Sequence, residues 1–144
     1  MAAHPDLPEE NTLARLCGRG RITEDLRPQF DNFRPKVRDG VPEEYLSTDC
    51  LEMLNGITRE ERLSELRRTY PLRRKPRDMF ALLNVAKTRK DVREQSDDGR
   101  ILGFKHVPED GLPSHCGIFG IGLDDHLIQK IVAESITEMV IATD

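Results

Sequence analysis

Residues 79–85 read MFALLNV, a nearly continuous apolar run with polar residues on both sides. A run of this length suits a β-strand that is buried on both faces of a sheet. Working outward, residues 11–17, 100–107 and 116–121 have short apolar patterns that predict three more strands. We therefore expect a mixed sheet of about four strands.

Helix signals lie between these strands. Thr58 and Glu61 form a capping box, in which each side chain can bind the other residue's backbone amide. That helix should end near Tyr70, because Pro71 disfavours helical geometry in the residue before it. The sequence Ser-Thr-Asp at residues 47–49 also resembles a helix cap and predicts a short helix through residue 54.

The C-terminal region predicts a long amphipathic helix that begins after Asp124. Its apolar residues recur at intervals of three and four and fall on one face: Leu127, Ile128, Ile131, Val132, Ile136 and Met139. Strands that alternate with helices are typical of an α+β domain. We expect one such domain over residues 11–144, preceded by a flexible acidic tail at residues 1–10.

The length and the cysteines exclude several classes of protein. A chain of 144 residues buries enough surface for one core without a metal or disulfide framework. Three cysteines, an odd number without CxxC spacing, argue against a secreted disulfide scaffold and against a zinc ribbon. No apolar stretch reaches about 18 residues, and the first residues lack the features of a signal peptide. We therefore expect a cytoplasmic protein that does not interact with a membrane.

The charge of the chain is unevenly distributed. The chain carries a net charge of -4, but residues 67–93 hold ten basic and two acidic residues, which gives this window +8 and leaves -12 elsewhere. Such a window can bind phosphates, an acidic partner or the protein's own acidic surface. Its arginine-rich loop supplies the predicted partner-binding residues: Arg67, Arg68, Arg73, Arg74, Lys75 and Arg77.

The function favoured by this pattern is that of a small accessory subunit that binds another protein. Arginine is enriched among the residues that dominate binding at protein interfaces. The sequence contains no complete catalytic, cofactor or metal motif, so we assign no catalytic residue, no cofactor and no metal ligand. A subunit of this kind fits a bacterial multi-gene system, for example a defence system.

A small enzyme is the first alternative, and two sets of residues suggest it. His106, His115 and Cys116 are reactive types near one another in sequence. Adjacent residues on a strand point to opposite faces, however, so a base for Cys116 would have to come from another strand, such as that of His106. The same histidines, with His126, are metal-ligand types but lack the spacing of a metal site.

The second set is Arg15 on the first strand and Ser47 followed by Thr48. Their order is similar to that of the Arg and Ser-Thr elements of ADP-ribosyltransferases, which hold NAD. The similarity implies a nucleotide-dependent transferase, although the sequence lacks an E-x-E motif. The nearby Gly-Arg-Gly-Arg at residues 18–21 has backbone amides and arginines that suit phosphate. Its spacing matches neither G-x-x-x-x-G-K-S/T nor G-x-G-x-x-G, which favours a polar turn after the first strand.

Nucleic-acid binding through residues 67–93 is the remaining alternative, since lysine and arginine neutralise phosphates. The overall pI of about 5.6 and the shortage of stacking aromatics argue against it. Finally, YLST, FALLNVAKTR and GFKHVPEDGLPSHCGIFGI together resemble pieces of a group of small uncharacterised bacterial proteins. This resemblance implies a bacterial or phage-related source and carries no activity or site.

Overall fold

The computed structural model describes residues 4–143, which form three α-helices and eight β-strands. The helices are α1 (Arg59–Thr69), α2 (Val85–Gln95) and α3 (His126–Ser135). The strands are β1 (Thr12–Cys17), β2 (Val37–Arg38), β3 (Val41–Pro42), β4 (Tyr45–Cys50), β5 (Met79–Asn84), β6 (Gly103–His106), β7 (His115–Phe119) and β8 (Glu138–Ile141). The chain is a single small α+β domain, which confirms the predicted class.

Six strands form one sheet in the order β6-β7-β4-β1-β5-β8. The four predicted strands correspond to β1, β5, β6 and β7, whereas β4 and β8 were not predicted. The expectation of about four strands was therefore too low, and every observed pairing is antiparallel rather than mixed. Strands β2 and β3 form a separate hairpin, in which Asp39 and Gly40 have the positive φ angles of a two-residue turn.

The short helix predicted over residues 47–54 is wrong. Those residues belong to β4 and to a 3-10 turn at Leu51–Met53. The strand lies between β7 and β1, and these neighbours supply backbone hydrogen-bond partners on both sides. Tertiary pairing therefore overrides the local capping signal of the Ser-Thr-Asp sequence.

The C-terminal helix is shorter than predicted. Helix α3 ends at Ser135, and residues 138–141 form β8, which pairs with β5 at the edge of the sheet. The Thr137 amide donates to the carbonyl oxygen of Leu82 at 2.9 Å and begins this pairing. The start of α1, by contrast, is confirmed, because both hydrogen bonds of the Thr58–Glu61 capping box are present.

The two faces of the sheet carry separate cores. Helices α2 and α3 cover one face, where Val92, Ile131 and Val132 pack in a cluster with Leu13 and Leu83 of the sheet. Helix α1 covers part of the other face, and its buried residues pack in a second, smaller cluster of Ala14, Leu51, Leu63, Leu66, Phe80, Leu82 and Ala142. The remainder of this second face is open, and it contains the site described below.

The described part of the predicted N-terminal tail contacts the sheet. The Leu7 amide donates to the carbonyl oxygen of Phe104, and the His106 amide donates to that of Pro5, both at 2.9 Å. The Leu7 side chain is buried. Residues 5–7 therefore extend the sheet beyond β6.

Among residues 4–143, no helix has both the length and the apolar character needed to cross a membrane.

Candidate functional site

A split between two neighbouring strands is the main irregularity of the sheet. Strand β1 pairs with β5 at six positions but with β4 at only two, Leu13 with Cys50 and Ala14 with Asp49. Beyond the second pair the Arg15 side chain bridges the two strands. Its Nη1 donates to the carbonyl oxygen of Ser47 at 2.7 Å. Arg15 thus occupies the position where the ladder between β1 and β4 stops.

The guanidinium of Arg15 is held firmly but is not neutralised. Its Nε donates to the carbonyl oxygen of Asn32 at 2.7 Å, so two main-chain oxygens fix the plane of the group. No carboxylate among residues 4–143 lies within ion-pair distance of it. Burial lowers the pKa of this group, which nevertheless stays protonated because arginine begins far above neutrality. The result is a half-buried cation with no carboxylate of the described residues at ion-pair distance, although Glu43 lines the same groove.

Arg15 lies in a groove of about 470 Å³ that runs across the split. Three further cations line this groove, Arg21, Lys36 and Arg38, against the single carboxylate of Glu43. That carboxylate accepts a hydrogen bond from the Lys36 amide at 3.0 Å. Arg21 also lies 3.9 Å from a carboxylate oxygen of Asp31, but the cations still outnumber the carboxylates. The groove is therefore positive, and its chemistry suits an anionic ligand.

The positive surface continues past the Gly-Arg-Gly-Arg sequence at residues 18–21. Gly18 and Gly20 belong both to this groove and to an adjoining open depression, which is also lined by Arg19, Arg73, Lys75 and Arg77. The buried carboxylate of Asp78 accepts from the amides of Arg19 at 3.1 Å and of Lys75 at 2.8 Å. Asp78 thus joins the two basic loops into one surface.

The six predicted partner-binding residues divide into two groups. Three of them make intramolecular contacts: Arg67 donates to Ile141 O, Arg68 pairs with Glu65, and Arg74 donates to Ala142 O and lies over the ring of Tyr70. The other three, Arg73, Lys75 and Arg77, are exposed and form no ion pair with the described residues. Elsewhere in the basic window, Lys87 pairs with Asp91 and Arg89 with Glu9.

A second, smaller cavity of about 200 Å³ adjoins the groove, and Tyr70 lines both. Asp49 and Ser114 meet there, and the Ser114 hydroxyl donates to Asp49 Oδ1 at 3.0 Å. Burial raises the pKa of Asp49 and raises that of Tyr70 to about 12. Sequence reasoning missed this cavity, because Asp49 and Ser114 are 65 positions apart. The alternation of β4 is the signal that links Asp49 to Ser47.

The cysteine and histidine set is not assembled into a nucleophilic pair. His106 is the cross-strand partner of Cys116, but its Nε2 lies 2.8 Å from the carbonyl oxygen of Pro113. The Nδ1 of His115 lies 2.8 Å from the carbonyl oxygen of Val107. A hydrogen bond with Cys50, together with burial, raises the pKa of the Cys116 thiol. Cys116 is therefore a protonated thiol in the core.

Within residues 4–143, no three His, Cys, Asp or Glu side chains are grouped so that they could hold a metal ion. The two positions that resemble ADP-ribosyltransferases do come together, although Arg15 contacts the main chain of Ser47 rather than its hydroxyl. The chain matches no protein-family model, and neither a curated protein nor a solved structure is detectably similar to it.

Proposed function

We propose that the protein binds a small phosphate-bearing molecule in the groove over the β1–β4 split, with Arg15 as its anchor. The observation that carries this proposal is the half-buried guanidinium of Arg15, which is oriented by two carbonyl oxygens and has no carboxylate partner among the described residues. A guanidinium has five N–H donors, and these two contacts leave the others free for the oxygens of a phosphate.

The surrounding positive charges favour a ligand that carries more than one negative charge. Arg21, Lys36 and Arg38 line the same groove, so a phosphate on Arg15 lies in the field of several cations. A long nucleic acid suits this surface less well, because the chain outside residues 67–93 carries -12 and repels a polyanion. Nucleic-acid bases also stack on exposed aromatic rings. The basic window contains two aromatic residues, Tyr70 and Phe80, and Phe80 is fully buried in the core and cannot serve this purpose.

Calorimetric titration with inorganic pyrophosphate tests the proposal. We expect Arg15→Gln to weaken binding by about tenfold or more, because a hydrogen bond to a charged group contributes about 1.5–3 kcal/mol. Gln retains a side-chain donor for the carbonyl oxygens. Arg38→Gln, at an exposed position of the groove, should also weaken binding and does not touch the core.

Arg93→Gln is the matched control, since Arg93 is an exposed arginine of the basic window on α2, away from the groove. It should leave pyrophosphate binding unchanged. Two results contradict the proposal: no binding to the wild-type protein, or an equal loss in the Arg93 variant and the two groove variants.

A second candidate function is the binding of an acidic protein partner through Arg73, Lys75 and Arg77. It is supported by the exposure of these three side chains and by their lack of ion pairs with the described residues. Arginines of this kind dominate many interfaces when they meet carboxylates. The two candidates use neighbouring but different residues, so variants can separate them.

A further inference from the structure

The cavity beside the phosphate groove has lining groups that suit hydroxyls rather than charge. Its polar residues are Asp49, Asn55, Glu65, Thr69, Tyr70 and Ser114. The set mixes hydrogen-bond acceptors with groups that also donate, whereas four cations line the neighbouring groove. Among the described residues that line the cavity there is no lysine, arginine or histidine. A second phosphate has no cation to bind there.

Asp49 is the key group of this cavity. Its side chain belongs to a residue that is only 9% exposed, and Ser114 engages Oδ1 alone. Oδ2 has no hydrogen-bond partner among residues 4–143, although Asp49 lines the cavity. No basic side chain among these residues pairs with the carboxyl group, and burial raises its pKa. Oδ2 is not completely buried, because it is absent from the described side-chain oxygens that are both buried and unpartnered. A ligand hydroxyl in the cavity can therefore donate a hydrogen bond to it.

The geometry links this cavity to Arg15. Ser47, whose main-chain carbonyl oxygen accepts from Arg15, and Asp49 are two positions apart on β4, so about 7 Å along the strand separates the two residues. Tyr70 lines both spaces, so the cavity and the groove meet at this side chain. The cavity volume of about 200 Å³ equals that of about six or seven waters, which is enough for one sugar ring.

On the basis of the proposed function, we propose that the ligand is a sugar phosphate. Its phosphate binds Arg15, and its sugar hydroxyls enter the cavity and bind Asp49 and Ser114. The hydroxyl of Tyr70 stays protonated at neutral pH and is available as a donor, while the ring can pack against the sugar.

Titration calorimetry with three probes tests this inference: ribose 5-phosphate, n-butyl phosphate and inorganic phosphate. The first two have the same phosphate ester group but differ in hydroxyls. We expect ribose 5-phosphate to bind the wild-type protein at least tenfold more tightly than either other probe. Asp49→Asn and Ser114→Ala should each remove most of this difference and leave the affinity for inorganic phosphate unchanged.

Asp97→Asn, in the exposed loop after α2, is the matched control and should retain the wild-type preference. Ser114→Ala removes a single oxygen, so it keeps the test decisive if Asp49→Asn alters the fold. The sugar inference is overturned if ribose 5-phosphate binds no more tightly than butyl phosphate, or if both cavity variants keep the preference. In either case the proposal that Arg15 binds a phosphate group still stands. If no phosphate binds in an Arg15-dependent manner, both proposals fail.

Discussion

Asp49 is a carboxyl group whose ionisation opposes folding. Burial raises its pKa above the ordinary value, despite the opposing effect of the hydrogen bond from Ser114. The folded protein therefore binds this proton more tightly than the unfolded chain does. The contribution of Asp49 to the free energy of unfolding is fully present below the pKa that the group has in the unfolded chain. It is lost as the pH rises through the higher pKa that the group has in the folded protein.

We expect Asp49→Asn to be more stable than wild type at pH 7 in the absence of ligand. Asn keeps the size of the side chain and can accept the Ser114 hydrogen bond, but it has no charge to desolvate. The difference should shrink as the pH falls toward 4, where the wild-type carboxyl becomes protonated. Urea unfolding from pH 4 to pH 8 measures this, with Asp97→Asn as the exposed control. A variant that is less stable than wild type throughout that range would show that Asp49 ionises without penalty.

The sequence indicated one half of the site more clearly than the other. Arg15 and Ser47 could be paired from their order in the chain, because that order is similar to the order of the Arg and Ser-Thr elements of ADP-ribosyltransferases. Asp49 and Ser114 could not, since their contact depends on the pairing of β4 with β7. That pairing was hidden by the helix-cap pattern of residues 47–49, which is a local signal that long-range pairing overrode.

At the scale of elements, α3 is the best example of a helix whose burial follows from its apolar spacing. Ile131 is 4% exposed and belongs to the larger core cluster. We expect Ile131→Ala to reduce the free energy of unfolding by about 2–5 kcal/mol, because it removes buried methyl groups and leaves a cavity. Urea denaturation measures the loss.

Leu127 provides a control on the same helix. The apolar pattern placed it on the buried face, but the residue is 43% exposed. Leu127→Ala should therefore change stability by no more than about 0.5 kcal/mol, within the range of surface substitutions. Equal losses for the two variants, or a loss below about 1 kcal/mol for Ile131→Ala, would contradict the observed orientation of α3.

The end of α3 shows why periodicity alone misplaced β8. Ile136 and Met139 continue the helical spacing of the preceding residues, so the sequence favours a longer helix. In the structure Met139 instead pairs with Ala81 of β5, and Phe80 pairs with Val140. Strand β5 has an open edge there, and its backbone groups gain partners only if the chain leaves the helix. The periodicity of residues 136–141 alone therefore does not predict this change from helix to strand.

At the scale of the whole molecule, the charges separate into functional and structural sets. Half of the basic residues of the arginine-rich loop contact the chain itself. Arg67 donates to the carbonyl oxygen of Ile141, the last residue of β8, and Arg74 donates to that of Ala142, which follows it. These arginines fix the C-terminal edge of the sheet to α1 and its following loop. Charge reversal at Arg74 would disturb that contact, so it cannot isolate an effect on partner binding.

Arg73 and Lys75 are better positions for testing a protein partner. Both are exposed and line the open depression, and Arg77 is best left unchanged because its φ is 78°, an uncommon backbone conformation. We expect Arg73→Glu combined with Lys75→Glu to weaken capture of a protein partner at physiological salt by about 30-fold or more, which corresponds to the loss of one interface hot spot of about 2 kcal/mol. The fold should be unchanged.

Lys90→Glu combined with Arg93→Glu applies the same change of charge to exposed positions on α2 and serves as the control. If long-range attraction between net charges caused the binding, both double variants would lose the partner equally. If the contact is local, only the variant at residues 73 and 75 should lose it. Quantitative mass spectrometry of material co-purified with the wild type and the two variants distinguishes these cases.

Two results contradict the protein-partner function of this loop. The first is a partner that the Arg73 and Lys75 variant retains. The second is sub-micromolar binding of DNA or RNA by the wild type in the same buffer, which we do not expect because the acidic remainder of the chain should repel a polyanion.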